Sequence, residues 1–309
     1  MNLSDLRIFV SAARRPSLGA AALEMHLTPS AVSKAIKRLE DNLGKPLFDR
    51  GNKQLVLNDS GQLLLGRAQT LLALADQARE DLMGERAAID SRIGGPAILL
   101  WRHGRMLSQA LSVYPEGSLR MQAMFEDEAL AALARGDINA AIVTNDVIEG
   151  RGEHWSEEWT TTPLGSVTLH LMAGSSHPLV TSLSPAPLLE AATADVLAYD
   201  FACPSRSMFC GVQRGPRSDG WRDDQLPRKI RYWTDDLQLL LTLVKSGVAL
   251  AYLPDFALAD SELRRIHVTD CDFECVEQVA LVWNHVRASA WQRELAAALE
   301  RGPRLHPAA

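Results

Sequence analysis

The stretch LTPSAVSKAIKRLE, residues 27–40, decides how this chain is read. Thr28 can cap a helix and Pro29 suits the first helical position, where a missing N–H costs nothing. Val32, Ile36, Leu39 and Leu43 then recur at spacings of four, three and four, which predicts one helix with a single buried stripe. Ser30, Ser33, Lys34 and Lys37 fall on a different face, with Arg38 at its flank. Basic residues on an exposed helix face are commonly no more than solvated. The neighbouring segments give these a purpose.

Upstream, Leu3, Leu6, Phe9 and Val10 share one helical face, and Pro16 stops that helix. Ser17 caps the segment SLGAAALEM, residues 17–25, whose Ala21 and Ala22 let another helix pack closely. Only His26 and Leu27 separate it from the cap at Thr28, so the two helices cross steeply rather than run antiparallel. That predicts a helix-turn-helix whose second helix enters a major groove N-terminus first. Thr28 and Pro29 open that helix, the short Ser30 and Ser33 suit base edges, and Lys34, Lys37 and Arg38 suit phosphates. Downstream, GKPLFDRGNKQLVLNDSG, residues 44–61, predicts two short extended runs about a turn. This is a wing with Arg50, Asn52 and Lys53 at its tip; a plain hairpin with solvated charges is the alternative.

Net charge is −6 over 309 residues, but it is unevenly placed. Residues 1–58 hold nine Lys/Arg against five Asp/Glu, net +4, and the remainder is net −10. A basic head on an acidic body fits a protein that meets a polyanion only with its head. The length predicts two or three domains. No apolar run reaches the roughly 18 residues a membrane helix needs, and the first fifteen residues reverse the order of a secretory signal, so a cytoplasmic protein is expected. Four cysteines are too few for a disulfide framework.

From Asn58 a long helix is predicted, with Leu64, Ala68, Leu71, Ala75, Ala78 and Leu82 stepping as a heptad seam over about three repeats. An amphipathic helix packed on its own chain shows the same rhythm. DSRIGGP, residues 90–96, reads as a hinge. Beyond it strands and helices alternate: PAILLW as a strand, GRMLSQALSVYP as a helix, then SLRMQAMF, EDEALAALARG and INAAIVTN as strand, helix, strand. SVTLHLMAG, DVLAYDFA and EQVALVWNH add strands, and TDDLQLLLTLVKSG and SAWQRELAAALERG add helices. Such alternation predicts an α/β body of two lobes with a ligand between them at the strand ends.

DLRIFVSAARRPSLGAAALEMHLTPSAVSKAIKRLEDNLGKPLFDR followed by LVLNDSG closely resembles the LysR-type transcriptional regulators, with Asn58 where the family has Thr. The body resembles their effector domain more loosely, through ALARGDINAAIVTN, with Asn139 for Asp, and LVKSGVALAYLPDF, with Ala249 for Gly. The segment between Pro96 and Pro115 is shorter than the family norm. The resemblance implies a winged helix-turn-helix over residues 1–58, a dimerising linker helix over 59–88, and a two-lobed α/β effector domain over 92–309 like a type 2 periplasmic binding protein. It also implies a sequence-specific regulator, not an enzyme, without cofactor or metal. Its partners would be an interrupted palindrome in double-stranded DNA, a small-molecule effector, further copies of itself as dimer or tetramer, and RNA polymerase.

By family position, the effector site would gather the turn after the first strand (Trp101, Arg102, His103), the strand end at Thr144 and Asn145, the loop at Ser205 and Arg206, and Trp233 and Thr234. Arg102 and Arg206 suit a carboxylate, Thr144, Ser205 and Thr234 supply hydroxyls, and the two tryptophans supply apolar walls. His103 suits a rim position equally well. Cys203 and Cys210 share the loop where peroxide-sensing relatives keep a reactive pair, although ordinary free thiols fit as well. Cys271, Cys275 and His267 make a poor zinc set. A solute-binding protein is the rival from another class, and the basic head argues against it. For an enzyme there is no Gly-rich phosphate loop after a strand, no G-x-S-x-G and no H-E-x-x-H. The charge-dense RGPRSDGWRDDQLPRK, residues 214–229, reads as a surface loop or a lid.

Overall fold

A computed structural model of the chain describes residues 1–49, 55–84, 89–150, 155–183, 189–271 and 273–300. The head consists of α1 (Leu3–Arg14), α2 (Leu18–Glu24) and α3 (Pro29–Leu43), followed by the long α4 (Asp59–Met83). Each begins at a polar cap: the side chains of Asn2, Ser17, Thr28 and Asn58 accept from the backbone N–H of Asp5, Ala20, Ala31 and Gly61. Asn58 therefore serves as a cap in place of Thr.

Val32, Ala35, Ile36 and Leu39 form the buried stripe of α3. Leu43 is instead 41% exposed, because Gly44 at φ +67° ends the helix there and turns the chain away. Phe9 meets Phe48 edge to face at 5.8 Å inside the head core. The stem of the wing is present as a bridge between Phe48 and Leu57, supported by Asp49 N–H to Val56 O at 2.9 Å. Its tip, with Arg50, Asn52 and Lys53, lies outside the described residues. Gly61 is required where α4 presses on this stem, since a Cβ there would stand 2.2 Å from the Leu47 carbonyl oxygen.

The body runs β1 (Asp90–Gly95), α5 (Ala97–Leu111), β2 (Ser118–Ala123), α6 (Glu126–Arg135), β3 (Ala140–Thr144), α7 (Asn145–Glu149) and β4 (Trp159–Gly174). It continues with α8 (Pro178–Ser182), β5 (Leu189–Ala191), α9 (Thr193–Leu197), β6 (Asp200–Cys203), β7 (Lys229–Trp233) and α10 (Leu237–Lys245). It closes with β8 (Ala251–Pro254), β9 (Leu263–Val268), β10 (Cys275–Asn284) and α11 (Ala290–Glu300). The main sheet has the order β2-β1-β3-β10-β4-β9-β5, with β8 also on β4, and β6 pairs with β7 in a small parallel sheet.

Lobe 1 is the parallel β2-β1-β3 set with α5 and α6, and lobe 2 is built around the far half of β4. The antiparallel pair β4 and β10 runs through both and slips register between Val279 and Ala280, where the lobes join.

Two expectations are corrected here. DSRIGGP is not a hinge: residues 90–95 are β1, whose Ile93 pairs with Met121 of β2 and with Ala140 of β3, and pairing on both edges outweighs the weak strand propensity of its glycines. PAILLW is not a strand: Pro96 sits at the N-cap of α5, and the apolar run Ala97–Trp101 is its first, mostly buried turn. A short apolar run fits a buried helix as well as a buried strand. DVLAYDFA likewise splits into the end of α9 and β6.

Candidate functional site

On α3 the side chains of Ser30, Ser33, Lys34 and Lys37 are exposed on the face opposite the buried stripe, with Pro29 exposed at the helix start. Thr28 is engaged as the cap, its Oγ1 accepting from Ala31 N–H at 3.2 Å and lying 3.1 Å from Ser30 Oγ. Arg38 stands apart from the lysines. Its guanidinium donates to Asp5 at 2.6 Å, and that carboxylate is buried against α1. Arg38 thus ties α3 to α1, and Lys34 and Lys37 are the cations of this face that have no carboxylate partner among the described residues.

The seam on α4 is also redrawn. Ala68 is fully buried in the head core beside Leu72, and Leu64 packs partly against the same core. Besides Met83 at its last position, the large apolar residues that α4 leaves uncovered are Leu63 (69%), Leu71 (42%), Leu74 (50%) and Leu82 (89%), and these four form a set. With the exposed Ala78 between them they share one helical face, rotated from the expected line toward Leu63 and Leu74; Ala75 lies beside it, half-buried. The chain's own head has claimed the start of the predicted stripe.

Between the lobes lies a cavity of about 320 Å³. Lobe 1 lines it with the start of α5 (Pro96, Ala97, Ile98) and with Met124, Phe125 and Glu128 around the start of α6. Lobe 2 contributes Pro204, Arg206, Ser207 and Met208 from the loop after β6, and Thr234, Asp235, Asp236, Leu237 and Leu240 from β7 into α10. The N-termini of α5, α6 and α10 therefore all face one space, and α5 has no side-chain cap.

The three carboxylates are committed locally. Glu128 accepts from Phe125 N–H at 3.2 Å, and Asp236 caps α10 through Leu239 N–H at 2.9 Å. Asp235 accepts from both the N–H and the hydroxyl of Ser205 and from Arg206 N–H. Burial works against its charge, yet these hydrogen bonds outweigh burial and hold the carboxyl below its ordinary value. Arg206 is the cation lining this cavity, and its guanidinium makes no ion pair among the described residues.

Of the residues expected here, Arg206 and Thr234 line the cavity. The others do not, and the corrected position of α5 explains three of them. Trp101 and Arg102 sit on α5 after the Pro96–Ile98 segment that reaches the cavity and pack on Phe256, at 4.8 and 5.4 Å between centres. His103 is buried on the inner face of α5, and burial with the neighbouring Arg102 pushes its pKa down to about 4, so it is a neutral core residue and not a rim donor. Thr144 is buried, its N–H donating to Glu126 at 2.6 Å, and Asn145 opens α7 behind it. Ser205 shapes the loop through Asp235, and Trp233 is exposed at the end of β7, outside the cavity.

The cavity walls missed in the sequence are Met124, Phe125, Met208 and Leu240, ordinary apolar residues that carry no motif. Also missed was Arg228, whose side chain is fully buried. It pairs with Asp219 at 2.9 Å and lies over the rings of Phe201 and Trp221 at 5.2 and 5.1 Å. It also donates to Pro216 O at 2.6 Å, so the charge-dense segment is pinned from inside and is not a free lid. Cys203 lies beneath it, and burial pushes that thiol up, the reverse of what a reactive cysteine needs.

Comparison with known proteins accounts for this arrangement. Residues 3–62 match the family model for the bacterial regulatory helix-turn-helix protein of the lysR family, and residues 91–303 match that for the LysR substrate binding domain. The chain belongs to the LysR family of DNA-binding transcriptional regulators with an effector-binding domain. The regulator GltR of Bacillus subtilis (strain 168) is 23% identical over 266 residues, covering 85% of this chain and 82% of that protein. Among solved structures, a full-length single-residue variant of OxyR from Pseudomonas aeruginosa superposes with a TM-score of 0.65 at 19% identity, covering 98% and 96% of the two chains. Full-length LysG from Corynebacterium glutamicum with bound effector Arg gives 0.59 at 19% identity, covering 97% and 96%. These structures agree in fold. No described helix is long and apolar enough to cross a membrane.

Proposed function

We propose that this regulator reads an interrupted palindrome in double-stranded DNA as a cytoplasmic homo-oligomer, dimer or tetramer, and acts on RNA polymerase from that site. Ser30 and Ser33 would meet base edges, and Lys34 and Lys37 would meet phosphates. The uncovered face of α4 at Leu63, Leu71, Leu74 and Leu82 fits a copy of itself. Leu71→Glu sets two charges against each other in that seam, at a cost of several kcal/mol. Sedimentation should then show monomers, and a fully dimeric mutant would move the interface elsewhere.

The effector is a small carboxylic acid held between the lobes. One observation carries this: three helix N-termini and Arg206 surround a cavity whose other walls are largely apolar, while its carboxylates are tied to backbone N–H groups. Helix N-termini and a guanidinium favour an anion, and Met124, Phe125, Met208 and Leu240 favour a short aliphatic or aromatic body. The Arg bound to LysG also carries a carboxylate. Arg102 is dropped from the reading, since it stacks on Phe256.

A thermal-unfolding screen of the full chain against short carboxylic acids and their amides tests it. At a hundred times its Kd a ligand adds about 2.7 kcal/mol of stability, enough to shift the midpoint visibly. Acids should stabilise the parent and lose that effect in Arg206→Met. Stabilisation by amides alone, or acids acting equally on Arg206→Met, overturns the assignment.

A further inference from the structure

A second cavity, of about 570 Å³, lies away from the cleft, where α1, α4, β1 and the turn after β10 meet. Five arginines line it: Arg7, which is paired with Asp76, Arg79, which is exposed, and three set deeper, Arg14 of α1, Arg92 of β1 and Arg287 of the turn. The carboxylates of Glu24, Asp76, Glu80 and Asp90 are also on the walls, and the deeper three arginines are the ones that lack a close carboxylate partner. Their side chains are 17, 25 and 21% exposed, so each charge is largely out of water. Yet each faces its carboxylate only loosely, Arg14 at 3.5 Å from Asp137, Arg92 at 3.8 Å from Asp90 and Arg287 at 3.8 Å from Glu158. A charge-assisted hydrogen bond closes to roughly 2.7–2.9 Å. Asp137 is moreover held more tightly by Arg135, at 2.8 Å.

Seven buried side-chain polar atoms among the described residues find no hydrogen-bond partner in the protein, and four of them belong to residues that line this one cavity: Nε of Arg14, Arg92 and Arg287, and Oγ of Ser91. Such a concentration calls for a cause, because each buried donor left unmatched is costly. The guanidinium groups also work against each other. Burial, followed by the charge of Arg92, lowers Arg14 to about 10, and burial lowers Arg287.

We propose that this junction is a ligand site of its own, for a small multivalent oxyanion of the inorganic phosphate class. Such an anion offers acceptors to all three guanidinium groups and to the Ser91 hydroxyl, and neutralises their repulsion. Gln69 of α4 already spans the junction, donating to Arg135 O and accepting from Arg287. Occupancy would therefore tie the head and linker to lobe 1, and by reciprocity anything that moves the head would change the affinity for the anion.

Calorimetric titration of the full chain with millimolar inorganic phosphate, at fixed pH and ionic strength, tests this. One site per chain is expected, lost in Arg92→Gln and in Arg287→Gln and kept in Arg206→Met, which alters only the cleft. Ser91→Ala leaves every charge in place and should weaken binding roughly fivefold, the equivalent of about one hydrogen bond, should the arginine variants fail to fold. Absence of binding by the parent, binding unchanged in Ser91→Ala and the arginine variants, or loss in Arg206→Met alone overturns the proposal.

Discussion

Head and sensor each bury an aspartate and answer it with an arginine, and they do so differently. In the head, Asp5 is 4% exposed at its side chain while Arg38 is 58% exposed, so the pair sits at the rim with the cation in water. In the sensor, Asp219 and Arg228 are 1% and 0% exposed, and the guanidinium is roofed by Phe201 and Trp221. Removing the arginine strands a buried aspartate in either place, and the cost is larger in the sensor, where neither partner reaches water. The head is a module of local contacts, whereas the sensor rests on a few internal commitments.

The largest effect is accordingly expected in the sensor. Arg228→Met keeps the length of the side chain but leaves Asp219 unpaired, and should lower the stability of the sensor by about 3–5 kcal/mol. Arg228→Met with Asp219→Leu removes the two fully buried charges and leaves only the partly exposed Asp223. It should recover most of the loss, since two apolar side chains are easier to bury than one bare carboxylate. Denaturant unfolding of the full chain, followed by tryptophan fluorescence, measures both, because all seven tryptophans lie in the sensor. A single mutant that loses less than about 1 kcal/mol would erase the contrast with the head.

The same contrast explains what was legible in the sequence. In the head, Asn2, Ser17, Thr28 and Asn58 each cap a helix through a backbone N–H three residues on, so its boundaries are written in adjacent letters. In the sensor, Asn284 pairs with Trp159 and Cys275 with Leu169, more than a hundred positions away. Whether PAILLW becomes strand or helix depends on β1 already filling the place between β2 and β3. The error of one element then displaced Trp101, Arg102 and His103 from the site together. Arg206 and Thr234 survived because they follow β6 and β7, the paired strands that carry both loops to the cavity. On α4 the helical periodicity is as expected, but a stripe spacing cannot say that Ala68 belongs to the chain's own core.

The smallest expected effect falls on the groove face, and it separates two residues the sequence placed together. Lys34 is exposed and pairs with no described carboxylate, whereas Arg38 is held by Asp5 at 2.6 Å. If Lys34 neutralises one DNA phosphate, Lys34→Ala should weaken binding to specific and scrambled duplexes alike. It should also reduce the slope of log K against log salt by about one, the signature of one fewer counterion released. Arg38→Met should leave that slope within a few tenths, because its cation was never free, and should show itself instead as a lower unfolding midpoint of the head, where Asp5 is left buried without its partner. Binding isotherms at four salt concentrations, together with a melting curve for each variant, distinguish the two roles. Equal slopes for Lys34→Ala and the parent would return the lysine to an ordinary solvated face, and a slope change of one for Arg38→Met would put the arginine back on the DNA.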